Sequence, residues 1–129
     1  MMSVDQANIL ELGREEVLKY YEGRTIGQPR MLDRAYKVNV RTGEDGTRCS
    51  VFISLHNANL CVFVTPGLSI SLSVFQDRLN ECLALEMETL PKLILGSTHG
   101  NLCVHVPTNT SEADLRSTVY IVCMVIDQS

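Results

Sequence analysis

From Tyr36 to Arg41 apolar and polar residues alternate strictly, and this period of two commits the middle of the chain to β-sheet. Tyr36, Val38 and Val40 share one face of a strand; Lys37, Asn39 and Arg41 share the other, wet face. Gly43-Glu44-Asp45-Gly46 is turn chemistry, so Cys49 to Leu55 is expected to return as the second arm of a hairpin. His56-Asn57-Ala58-Asn59 turns the chain again. Leu60-Cys61-Val62-Phe63-Val64 is then apolar on both faces, as a central strand covered on each side should be. Pro66-Gly67 suits the middle of a type II turn, and beyond it Leu68, Ile70 and Leu72 alternate with serines as a half-buried strand.

Two segments break this pattern with a helical period. Ser3-Val4-Asp5-Gln6 reads as a capping box opening a helix over about 4–22, stopped by Gly23, with Gly13 free to bend it. Ser73-Val74-Phe75-Gln76 reads as a second capping box. Phe75, Leu79, Cys82, Leu83 and Met87 then line one face of a helix over about 74–88, which Pro91 terminates. Three further strands are expected: Lys92 to Leu95, Leu102 to Val106, and Thr118 to Ile126, the last apolar enough for the sheet centre. The fold class is therefore α+β, one domain over 1–129, with a mainly antiparallel sheet of six or seven strands in the order α-ββββ-α-βββ. Strands occupy about 34–72 and 92–126. The two halves look topologically alike, each a capped helix followed by a meander.

A length of 129 residues suits one domain, and a hydrophobic fraction of 45% against 20% charged is far from the signature of disorder. Five cysteines make an odd set, four of them inside apolar strand-like runs, which points to core thiols in a reducing compartment, cytoplasmic or nuclear. No close pair such as C-x-x-C marks a zinc site, so neither metal nor cofactor is expected. The opening residues lack the basic, then apolar, pattern of a signal peptide. No stretch reaches the length of a membrane span.

The reactive residues form no recognisable catalytic motif. Cys103 and His105, two apart in a strand, share a face and would serve as a metal-ligand or thiol–imidazole pair, but a structural pairing is preferred. Gly96-Ser97-Thr98-His99-Gly100 lacks the lysine and spacing of a phosphate loop and reads as a hairpin turn. Arg30, Arg34, Lys37 and Arg41 form a basic stretch able to meet an acidic partner or a phosphate backbone. The sequence pI of about 5.3 and the absence of Trp disfavour nucleic acid. The first helix carries more apolar surface, including Leu10, Val17, Leu18 and Tyr21, than one narrow stripe needs, so it doubles as a candidate partner-binding face.

The run from Cys49 through Leu72, with Leu93-Ile94-Leu95-Gly96 later, resembles the small α+β proteasome assembly chaperones. That family places a helix before its final strand, for which Asn101 to Val106 offers no counterpart, so no site residue is carried over. The meander-then-helix halves are also similar to the single-strand nucleic-acid-binding PUR and Whirly folds. The resulting expectation is a non-enzymatic module that binds another protein as a homo- or hetero-oligomer, as an assembly factor, adaptor or complex subunit. The alternatives are single-strand nucleic-acid binding through the basic strand and a small cysteine enzyme built on Cys103 and His105.

Overall fold

The alternating segment becomes the middle of a six-stranded antiparallel sheet in the computed structural model, which describes residues 6–67, 70–98 and 100–129. The elements in chain order are α1 (Gln6–Tyr20), β1 (Arg30–Leu32), β2 (Ala35–Thr42), β3 (Thr47–His56), β4 (Asn59–Thr65), α2 (Leu72–Glu86), β5 (Ile94–Thr98), β6 (Asn101–Pro107) and α3 (Glu112–Asp127). The sheet order is β1-β2-β3-β4-β6-β5, so β1 to β4 run as a meander and β6 docks beside β4. Three helices accompany six strands, an α+β architecture.

The β2–β3 hairpin forms where its turn residues place it, with Thr42 opposite Thr47 and both Gly43 and Gly46 at positive φ. The β3–β4 connection is tighter. Asn57 and Ala58 are its two central residues, at φ of 48° and 61°, the left-handed pair that matches the twist of the flanking strands. The turn expected over Gly96 to Gly100 is shorter than that span, because Gly96, Ser97 and Thr98 belong to β5, with Thr98 opposite Asn101; His99 lies outside the described residues.

All three helices stack on one face of the sheet. Val38, Val40, Val51, Ile53, Leu60, Val62, Val64, Leu102, Val104 and Val106 point into that layer and are buried. They meet Ile9, Leu12 and Val17 of α1, Phe75, Leu79 and Leu83 of α2, and the apolar surface of α3. Gly13 does not divide α1. A Cβ there would stand 3.0 Å from both Ile53 and Leu60, so the missing side chain lets the helix settle directly on β3 and β4.

Several expectations are corrected. The run Thr118 to Ile126 is not a strand but most of α3. An unbroken apolar run satisfies a buried helix as readily as a buried strand. Here α3 lies between α1 and α2 and over the sheet, so Leu115, Val119, Val122, Cys123, Val125 and Ile126 are all buried. The start signal was local: the Ser111 hydroxyl accepts from the Asp114 N–H at 3.1 Å, and Glu112 and Asp114 occupy the first turn. The two halves of the chain are accordingly unlike, the second ending in a helix rather than a meander.

The second helix starts at Leu72, not Val74, because Ser71 rather than Ser73 is the cap, its hydroxyl accepting from Val74 N–H at 3.3 Å. Leu72 therefore opens a helix instead of closing a strand; Leu68 and Ser69 lie outside the described residues, as do Ser3 to Asp5 of the first capping box. Gly67 is not among the positive-φ glycines, so the type II turn is not formed. The strand expected at Lys92 to Leu95 is shifted to Ile94–Thr98, and β1 is an added short strand.

Asp127, the last residue of α3, ties the helix layer to the sheet. Its carboxylate accepts from Arg24 Nη1 at 2.8 Å, the Tyr20 hydroxyl at 2.8 Å and the backbone N–H of Gly43 at 2.8 Å. Arg116 plays a similar part between helices, reaching the buried Glu16 at 3.1 Å and Glu15 at 2.9 Å.

Candidate functional site: the uncovered face of the sheet

Because every helix lies on one side, the opposite face of the sheet carries no second layer among the described residues. The register arranges that face in rows that cross all six strands. One row reads Arg30, Lys37, Phe52, Phe63, Cys103, Gly96 from β1 to β5. The adjacent row reads Leu32, Ala35, Ser54, Cys61, His105, Ile94. The Phe52 and Phe63 rings pack edge to face with centroids 5.8 Å apart, and Lys37 Nζ stands 5.7 Å from the Phe52 centroid. Ile94 is 62% exposed and Leu32 37%. Phe52 and Phe63, in the middle of the face, are half-buried by their neighbours, with no layer over them among the described residues, while Leu32 and Ile94 stand exposed on the two edge strands.

The β1–β3 side of this face is basic. Arg30 is paired with Lys37, and Arg41 with Arg48, so like charges oppose each other twice across neighbouring strands. None of the four joins an ion pair among the described residues. Such juxtaposition costs stability in an isolated sheet and is relieved by an anionic surface.

The sequence-derived candidates divide accordingly. Arg30, Lys37 and Arg41 lie on the uncovered face, and Arg34 is exposed in the β1–β2 turn. Val17 on α1 and Tyr21 just beyond its end are fully buried, while Leu10 and Leu18 on α1 are half-buried against the core. The apolar surplus of α1 is taken up by contacts within the chain, chiefly because α3 is a helix lying beside it. Leu12 and Val17 meet the core, and Tyr20 packs edge to face on Tyr120 of α3 with centroids 5.2 Å apart.

Cys103 and His105 do share a face, and the structure adds a third member from another strand. Cys61 on β4 sits opposite His105, its Sγ 3.1 Å from Nδ1, while Cys103 Sγ lies 3.4 Å from Nε2 of the same ring. A hydrogen bond from Cys61 lowers the Cys103 thiol to about 6, aided by the neighbouring imidazoles of His105 and His56 and opposed by burial. The same hydrogen bond, then burial, pushes Cys61 upward. His56, on the same face, has its ring centroid 6.3 Å from that of His105.

The sequence marks Cys61 only as a core thiol and Phe52 and Phe63 only as strand aromatics, and none of the three is among its candidate site residues. Their phase was legible, since each falls between residues destined for the core, but the pairing of β4 with β6 was not. A cleft of about 500 Å³ lies elsewhere, among the helices, lined by Glu16, Arg116, Tyr120 and Met124. Comparison with family models, with curated proteins and with solved structures finds no match.

Proposed function

We propose that the chain is a non-enzymatic protein-binding module, an assembly factor, adaptor or complex subunit, and that the uncovered sheet face is its binding surface. The observation that carries this reading is the Phe52–Phe63 pair in the middle of the uncovered face, with Ile94 exposed on the β5 edge and Arg30, Lys37, Arg41 and Arg48 along its β1–β3 side. An apolar core with a charged rim is the usual anatomy of a protein interface. The chemistry fits a partner that presents apolar side chains beside carboxylates. The exposed edge strand β5 offers backbone groups for strand addition beside it. Five free thiols suit a reducing compartment, cytosolic or nuclear.

The test is recovery of stoichiometric partners from native cells by the tagged chain and by a Phe52→Glu, Ile94→Asp variant, with nuclease and at two salt concentrations. Loss of an interface anchor typically costs about 2 kcal/mol or more, roughly 30-fold in affinity. The variant should lose its partner, while Leu85→Asp, at an exposed position on α2, should retain it. Retention of every partner by the sheet-face variant would refute the assignment.

A second reading has one observation in its favour. Phe52 and Phe63 beside Lys37 and Arg30 form a surface on which single-stranded bases could stack above a basic strip. Nuclease-sensitive recovery with a steep salt dependence would favour it. The acidic pI of about 5.3 weighs against it.

A further inference from the structure

We propose that Cys61, Cys103 and His105 form a binding site for a thiophilic d10 cation, Zn²⁺, on the uncovered face of the sheet. One ligand atom from each residue lies within 4.8 Å of the others. Zinc–sulfur bonds of about 2.3 Å and zinc–nitrogen bonds of about 2.0–2.1 Å in a tetrahedron require sulfur–nitrogen separations of about 3.6 Å and sulfur–sulfur separations of about 3.8 Å. The sulfur–nitrogen distances, 3.1 Å from Cys61 to Nδ1 and 3.4 Å from Cys103 to Nε2, both fall a little short of that scale and involve different ring nitrogens. Turning the His105 ring to aim one nitrogen between the sulfurs brings all three donors onto one ion.

The placement favours a site over a chance cluster. All three donors rise from β4 and β6, hydrogen-bonded neighbours in the sheet interior, so their spacing is held by the ladder rather than by a loop. Gly96, the β5 residue opposite Cys103, puts no side chain over the thiol, and even an added Cβ there would meet nothing within 4 Å. The ion therefore has a way in. Two sulfurs and an imidazole select zinc over the hard cations Mg²⁺ and Ca²⁺, which take oxygen ligands. The fourth position faces outward, and His56 is the side chain on that face able to swing into it. On binding, the thiols give up their remaining protons to solvent and become thiolate ligands. The assignment is independent of the partner-binding reading, since it requires no second protein.

The experiment uses the metal-stripped full chain under reducing conditions. Zn²⁺ is titrated against a chromophoric chelator, and Co²⁺ serves as a spectroscopic substitute. One Zn²⁺ per chain is expected, with Co²⁺ giving thiolate-to-metal charge transfer and tetrahedral d–d bands. Cys61→Ser and Cys103→Ser should each weaken binding by more than the roughly 10–100-fold typical of losing a supporting contact. Cys82→Ser, which removes a half-buried thiol on α2, should bind as the unaltered chain does. His56→Ala should weaken binding less than either cysteine change. Should a cysteine variant fail to fold, alkylation of the unaltered chain decides: Zn²⁺ must protect Cys61 and Cys103 but not Cys82. Substoichiometric binding, binding indifferent to both serine substitutions, or absence of thiol protection would overturn the proposal.

Discussion

Replacing Asp127 by Asn tests whether the last turn of α3 holds the helix layer onto the sheet. The change keeps the shape of the side chain but removes its charge and one of its acceptor oxygens. Three donors converge on the carboxylate, from Arg24, Tyr20 and Gly43, and its side chain is only 15% exposed. A hydrogen bond to a charged group is worth about 1.5–3 kcal/mol, but Arg24 is 33% exposed and solvent weakens that member. The net loss should be about 2 kcal/mol, which for a domain of this length lowers Tm by roughly 6–10 °C. Burial acts to raise the Asp127 pKa; the Arg24 and Tyr20 side chains and the Gly43 N–H outweigh it and hold the carboxyl below its ordinary value. A depressed carboxyl stabilises the folded state above its unfolded pKa and loses that contribution as pH falls through the folded one. Thermal melts followed by circular dichroism should therefore show a constant gap between the two proteins above about pH 5, narrowing below about pH 4. A gap under about 1 °C at pH 7, or one that does not narrow in acid, would refute the reasoning.

Three further outcomes follow from the described geometry. Ser111→Ala should cost about 1 kcal/mol in urea denaturation through loss of the α3 cap, and Ser71→Ala a similar amount for α2, whereas Ser73→Ala should be close to neutral. Ala58→Gly should stabilise the β3–β4 turn by roughly 1 kcal/mol, since φ of 61° strains any residue with a Cβ; an unchanged denaturation midpoint would count against that strain. In the metal-free chain, alkylation of Cys103 should rise with pH through a midpoint near 6, well before that of Cys123, whose thiol is pushed up by burial. Peptide mapping after a short iodoacetamide pulse reads both sites.

Local chemistry settled a definite part of this molecule. The alternation through Tyr36 to Arg41 assigned Val38 and Val40 to the core and Lys37 to the other face, because side-chain direction in a strand is fixed by parity alone. Gly43 and Gly46 marked the first hairpin because their backbone conformation is costly for any other residue. The α+β class followed from the change of period. What parity cannot supply is a neighbour. The run Val119 to Ile126 would satisfy either a central strand or a buried helix; α3 was decided by the Ser111 cap together with the space between α1 and α2. That choice used up the apolar face of α1 and put every helix on one side of the sheet. Cys61 and His105 are 44 residues apart, and only the β4–β6 pairing sets them opposite each other. The sequence by itself determined which residues face inward, since that depends on adjacent backbone geometry. Tertiary structure decided which face stayed bare and which thiols met, since those depend on long-range pairing that no local segment encodes.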